Sequence, residues 1–137
     1  MRMPVAGTVA STELPFTISK QEDAAILVNP LPRTEAVLRN GRRSFNTYCS
    51  VCHGLLGNGV TSLTAAYGAK PANLVSDKIR QLPDGAIYYV IMKGKNAMPS
   101  YAADLDQDER WSVVNYVRVL QRALNARDSD IPKEAPK

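Results

Sequence analysis

Cys49-Ser50-Val51-Cys52-His53 lies near the middle of the chain and holds both cysteines and the one histidine of its 137 residues. Cys-x-x-Cys-His is the attachment signature of a c-type haem. The two thiols add across the porphyrin vinyl groups, and the adjacent imidazole reaches the iron. One helical turn separates the thiols, so both meet one edge of the macrocycle while His53 comes up beneath its centre. Three other chemistries use parts of this pattern. A thiol–disulfide oxidoreductase needs a thiol of lowered pKa in a βαβ setting, whereas the flanks here have few β-branched runs and read as helical. Structural zinc takes four ligands, and two cysteines with one histidine leave it short. A plain disulfide between Cys49 and Cys52 is the remaining reading. Haem attachment uses all three residues, and one covalent haem c is predicted.

The chain has the length of a single domain with spare residues at its ends. Its hydrophobic fraction of 45% suffices for one core, which a haem would enlarge. The formal charge is +4. The excess sits on the motif-bearing segment, where Arg39, Arg42, Arg43 and Lys70 face only Glu35. So mild a basic face suits acidic protein partners better than nucleic acid, whose readers concentrate far more charge. No apolar run approaches the roughly 18–20 residues of a membrane span. Met1-Arg2-Met3-Pro4-Val5 leads straight into polar chain, without a signal-peptide pattern. Haem attachment of this kind takes place outside the bacterial cytoplasmic membrane. A processed or upstream start is therefore expected, and with it room for a lipid anchor.

Residues 1–33 are broken by Pro4, Pro15, Pro30 and Pro32, with Gly7 and Asn29, and only a turn around Gln21–Leu27 is expected there. Val5, Val9, Leu14, Phe16 and Ile18 argue against a free tail. Two courses stay open: an arm lying on another protein, or a segment packed back on its own domain. The domain proper is read as residues 34–126, followed by a polar tail over 127–137. A first helix is predicted from the N-cap Thr34 to Tyr48. Val37, Gly41, Phe45 and Tyr48 share a face, with Leu38, Ser44 and Cys52 beside it and Arg39, Arg42 and Arg43 pointing away. Glycine in a helix costs about 1 kcal/mol relative to alanine, which close approach of another helix at Gly41 would explain.

Gly54-Leu55-Leu56-Gly57-Asn58-Gly59 reads as a loop, and Thr61–Tyr67 as a short helix or turn ending at Gly68. Lys70-Pro71-Ala72-Asn73-Leu74 is an extended strip. A carbonyl near Pro71 is the expected acceptor for the second ring nitrogen of His53. Helices follow over Asp77–Gln81 and Asp84–Lys93, the latter stopped by Gly94, with Ile87, Val90 and Ile91 inward and Tyr88 and Tyr89 at its edges. The last, Asp108–Ala126, opens with the capping pair Asp106 and Glu109. Its stripe is Val113, Tyr116, Val117, Leu120 and Leu124, with Arg110, Arg118, Arg122 and Arg127 largely off it. Tyr116 matches the Gly41–Phe45 face, so the first and last helices should cross.

A single histidine rules out two imidazoles on one iron within the chain. Of the four methionines, Met1 and Met3 lie in the irregular segment and Met92 at a core position of a helix. Met98 lies in the loop Lys95–Tyr101, held extended by Pro99. Core packing is the commoner fate of a methionine, but elimination makes Met98 the expected sixth ligand. His/Met ligation raises the potential and closes the iron, which favours electron transfer over chemistry at the metal. No catalytic residue is assigned. Pro71, Asn73 and Leu74 are expected cofactor contacts. Tyr101 and Trp111 are expected against the haem or a propionate, or else as core aromatics.

The order of a Cys-x-x-Cys-His helix, a proline strip, a Met-Pro loop and a closing amphipathic helix resembles class I cytochrome c across residues 34–126. The resemblance implies an all-α class I cytochrome c fold, a small helical domain wrapped around one covalent haem. Cys49, Cys52 and His53 would lie below the haem and Met98 above. Pro4-Val5-Ala6-Gly7-Thr8-Val9-Ala10, Asn29-Pro30-Leu31-Pro32, Pro83-Asp84-Gly85, Ala97-Met98-Pro99-Ser100-Tyr101-Ala102 and Asp108-Glu109-Arg110-Trp111 add a closer resemblance. They are similar to the monohaem cytochrome c subunit of bacterial alternative complex III, a quinol-oxidising membrane assembly. That resemblance implies an electron-transfer subunit without a catalytic site or transmembrane span of its own. It would sit on the periplasmic side of the cytoplasmic membrane, peripheral or lipid-anchored, against multihaem and membrane subunits. Electrons would pass to a terminal oxidase or a soluble acceptor, and the N-terminal arm would contact neighbouring subunits. A free periplasmic shuttle is the alternative, and a haem enzyme or gas sensor with an open axial site a third.

Overall fold

A computed structural model describes residues 16–67 and 70–130. The Pro4–Ala10 phrase, the start of the arm, the stop at Gly68 and the end of the polar tail lie outside the described residues. The described elements are helical, and an isolated antiparallel bridge between Lys95 and Met98 is the extent of their β-pairing. The expected all-α class holds for the described residues.

Helix α1, Glu35–Ser44, starts where expected, with the Thr34 hydroxyl accepting the Val37 N–H at 3.3 Å. It does not stop at Tyr48. A π turn, Phe45–Cys49, carries it into α2, Ser50–His53, so the whole attachment motif rides on one bent helix. The Ser50 N–H reaches back to the Phe45 carbonyl. The hydroxyls of Thr47 and Ser50 donate to the carbonyls of Arg43 and Asn46 at 2.9 and 2.8 Å, a pattern that bends helices. The wider turn delays the helical phase. Cys49 is consequently buried with Phe45, while Cys52, expected beside the apolar face, is exposed.

The short helices α3, Thr64–Tyr67, and α4, Asp77–Arg80, lead to α5, Asp84–Lys93, whose bounds match expectation. Tyr88 is not at its edge but in the core, stacked on Trp111 with ring centroids 4.1 Å apart. Helix α6, Gln107–Ala123, opens with a complete capping box. The Asp106 carboxylate accepts the Glu109 N–H at 2.8 Å, and that of Glu109 accepts the Asp106 N–H at 3.1 Å. The helix ends before Ala126, and Leu124 is 50% exposed rather than part of the stripe. Arg110, expected off the stripe, is 1% exposed. Its guanidinium donates to the Tyr88 hydroxyl at 3.1 Å and to the carbonyls of Ala102 and Leu105. Hydrogen bonding, not hydrophobicity, draws it inward. Arg118 is likewise half-buried, paired with Asp84 at 2.7 Å.

The first and last helices cross at Gly41. A Cβ there would stand 2.1 Å from the Ser112 carbonyl oxygen and 3.0 Å from Tyr116 Cβ. Phe45 meets the Tyr116 ring edge-on at 5.4 Å. Residues 16–33 take the second of the two courses left open and pack on the domain itself. They form a short 3₁₀ turn, Asp23–Ile26. The Asn29 amide donates to the Trp111 carbonyl at 3.1 Å, and the Leu31 carbonyl accepts from the Asn115 amide at 3.4 Å. Because the added Cβ would meet backbone at 2.1 Å, Gly41→Ala is expected to cost about 3 kcal/mol through overpacking, a net loss of about 2 kcal/mol after the roughly 1 kcal/mol gain in helix propensity. Chemical denaturation of the haem-loaded protein checks this, and an unchanged midpoint would contradict the crossing.

Candidate functional site

The bent helix sets the two thiols in different surroundings. Cys49 is 9% exposed, and burial, reinforced by the nearby Cys52, pushes its thiol up to about 12. A reactive thiol needs the opposite shift, so Cys49 is not the nucleophile that the oxidoreductase reading requires. Cys49 and Cys52 are not joined to each other by a disulfide. Among the described residues no three of His, Cys, Asp and Glu converge into a metal cage.

His53 follows the second thiol at the end of α2. Its Nδ1 lies 2.9 Å from the Ala72 carbonyl oxygen, the residue after Pro71 in the extended strip. A carbonyl can only accept, so Nδ1 carries the proton and Nε2 keeps its lone pair. Burial lowers the imidazole pKa, opposed by the bond to Ala72. The ring is thus held neutral, oriented and with one nitrogen available to a metal.

Backbone bonds between the glycine loop and the strip hold this arrangement. The Gly59 N–H bonds the His53 carbonyl, and the Leu74 N–H bonds the Gly57 carbonyl, each at 2.8 Å. Gly59 has φ +76°, and a Cβ there would meet the Pro71 carbonyl at 2.8 Å. A side chain at residue 59 would therefore push the strip off the histidine. Asn73 closes a turn of its own, its Oδ1 accepting the Val75 N–H at 3.0 Å. Leu74 packs against the core, and its carbonyl accepts from the Gln121 amide at 2.7 Å.

Tyr101 comes to the same place from the far side of the chain. Its phenol is raised by partial burial, then by the charges of Cys49, Cys52 and Asp104. The hydroxyl points to the Tyr48 carbonyl at 3.4 Å, and the two rings meet edge-on. Trp111 is a core aromatic, 4% exposed and stacked on Tyr88. Met92 is partly buried against the core, as its helical position suggested. Met98 is half-buried in a tight loop, exchanging backbone bonds with Lys95 at 2.9 and 3.0 Å.

Val51, Leu55, Leu56 and Val60, around the motif, are between 51% and 74% exposed. Sequence reasoning passed over these side chains because loop residues between glycines have no periodicity to read. Two thiols, an oriented imidazole and bare apolar side chains make a donor set that fits a covalently attached porphyrin.

Residues 36–117 match the family described as cytochrome c oxidase, cbb3-type, subunit III. The chain is similar to cytochrome c6 of Diacronema lutheri, 33% identical over 82 residues that cover 58% of this chain and 92% of that protein. It is also similar to cytochrome c6 of Chlorolobion braunii, 36% identical over 88 residues covering 61% and 90% respectively. A chain of the Kuenenia stuttgartiensis reducing HAO-like protein complex superposes with a TM-score of 0.60 at 29% identity, over 70% of this chain and 48% of that one. The present chain thus spans about half the length of that structural relative. With the motif, the helical fold and these matches agreeing, the chain belongs to the class I c-type cytochromes, binds haem c covalently through Cys49 and Cys52, and transfers electrons.

Proposed function

We propose that this cytochrome is the monohaem subunit of a membrane respiratory complex that oxidises quinol, similar to bacterial alternative complex III, with His53 and Met98 as its iron ligands. The His53–Ala72 bond carries the reading of the site. It fixes the tautomer that leaves Nε2 available, and it stiffens the ring against rotation. Met98 supplies the opposite ligand by elimination, since Met92 packs on the core and Met98 sits in a cross-bonded loop. When bound, the haem supplies a one-electron iron couple. The chain's part is to hold a neutral imidazole and a thioether with little movement between oxidation states. Pro71, Asn73, Leu74 and Tyr101 border the cofactor on this reading, and Trp111 backs it through the core.

Placement in a complex is supported by the likeness to a chain of a multi-protein complex and by two surface features. Val51, Leu55, Leu56 and Val60 present apolar side chains around the attachment motif. Arg39, Arg42 and Arg43 are exposed on α1 and suit an acidic neighbour. A multihaem subunit would be the donor, and a terminal oxidase or soluble protein the acceptor. The setting would be the periplasmic side of the membrane, with peripheral or lipid-anchored attachment. No helix among the described residues is long and apolar enough to cross a membrane. A free periplasmic shuttle is the second reading, favoured because the cytochrome c6 relatives are covered over about nine-tenths of their length by this domain.

Met98→Ala is expected to abolish the far-red band of methionine–iron ligation in the oxidised protein and to lower the potential, whereas Met92→Leu should keep both. A band that survives Met98→Ala would show that another group is the sixth ligand. Extraction of the native protein in mild detergent is expected to recover it with multihaem and membrane subunits. Recovery as a free monomer would favour the shuttle.

A further inference from the structure

The segment ahead of the domain reaches the loop that carries Met98. Phe16 packs against Tyr88 and Tyr89 with centroids 5.9 and 6.1 Å away, and the Lys93 ammonium lies 5.6 Å from its ring. The Tyr89 hydroxyl donates to the Ser19 carbonyl at 2.5 Å. Ala24 is wholly buried, and its carbonyl fills the space a side chain at Gly85 would need, 1.9 Å from an ideal Cβ. From Phe16 to Leu27 the segment is therefore seated on α5.

One side chain links this seat to the loop. Gln21 donates from Nε2 to the Ala86 carbonyl at 3.3 Å, and its Oε1 accepts from Lys95 Nζ at 2.6 Å. Lys95 in turn exchanges both backbone bonds with Met98. The other end of the loop is already tied to α5. The Ser100 hydroxyl donates to the Met92 carbonyl at 2.6 Å, and the Tyr101 N–H to the Ile91 carbonyl at 3.0 Å. Gln21 and Lys95 thus close the end that α5 does not hold through Ser100 and Tyr101.

We propose that Gln21 is a positioning residue for Met98, acting through Lys95 to clamp the ligand loop against α5. The inference rests on the reading of Met98 as the sixth ligand. Its consequence is that residues ahead of the cytochrome domain set how readily the thioether leaves the iron. The clamp is a charge-assisted bond of high sequence separation, so its loss opens the loop without unfolding the domain.

Imidazole titration of the oxidised, haem-loaded protein tests this, because imidazole binds only when the thioether has left. Gln21→Ala is expected to raise imidazole affinity about threefold to tenfold, the range of one net hydrogen bond, and to lower the potential. Gln21→Glu keeps the acceptor for Lys95 but gives up the amide donor to Ala86, so it should restore both in part. Lys95→Ala should match Gln21→Ala, and the double variant should add nothing further. Unchanged affinity in Gln21→Ala, with Met98→Ala still losing its far-red band, would overturn the clamp and leave the ligand reading intact. A band that survives Met98→Ala would overturn the ligand reading first. A rise that Gln21→Glu fails to restore even in part, or that only tracks a lower denaturation midpoint, would mark Gln21 as a general stabiliser and overturn the positioning role.

Discussion

The carbonyl oxygen of Ser112 occupies the place where a side chain at residue 41 would be. That steric fact joins the two helices on which the rest of the domain hangs. Helix α1, pinned there, continues through the π turn to deliver Cys49, Cys52 and His53. Helix α6, pinned from the other side, presents polar side chains to nearly every loop. Gln121 takes the Leu74 carbonyl, Arg110 those of Ala102 and Leu105, and Asn115 that of Leu31. Loops cannot bury their carbonyls without partners, and here one helix supplies many of them. The spacing between the imidazole strip and the methionine loop is therefore governed by how α6 lies on α1.

The same packing decides the chemistry of the motif. Burial keeps the Cys49 sulfur as a thiol far above neutral pH and keeps His53 uncharged. An uncharged pair is poorly suited to disulfide exchange, where a stabilised thiolate attacks. It is well suited to a cofactor that consumes both thiols and needs a free imidazole nitrogen. The π turn contributes directly, since the phase delay turns Cys49 toward the core while leaving Cys52 at the surface. Local widening of a helix often marks a functional site, and here it divides the two attachment points between interior and edge.

Sequence patterns revealed the helices whose apolar residues recur, down to the bounds of α5 and the cap of α6. Gly41 pointed to a close crossing because a glycine on the apolar face of a helix costs about 1 kcal/mol relative to alanine, a cost that close approach of another helix explains. The acceptor for His53 was legible to within one residue, since the proline strip limits which carbonyls can face the ring. Arg110 and Tyr88 were misjudged for one reason. Their burial depends on hydrogen bonding to each other and, for Arg110, to the loop just ahead of α6, and periodicity carries no trace of that. The π turn escaped for a related reason, because hydroxyls bonded to carbonyls four residues back look like ordinary helix residues in sequence. Residues 16–33 lack any repeat, so their seat on α5 became visible only through Gly85 and Gln21.

The relatives divide the molecule into what is shared and what is particular. The cytochromes c6 of Diacronema lutheri and Chlorolobion braunii are covered over about nine-tenths of their length by this chain, so haem attachment belongs to that shared part. The structural relative is about twice as long as the matched region, so the same domain also serves as a module within a larger chain. What distinguishes one use from another must then lie at the surface and in added segments. In this chain those are the apolar side chains around the motif, the arginines of α1 and the segment seated on α5. The last of these borders both solvent and the methionine loop. Ile26 and Val28 are 81% and 83% exposed, while Gln21, a few residues earlier, bonds Lys95. A partner covering those apolar residues would press on the segment whose Gln21 bonds the loop of Lys95 and Met98.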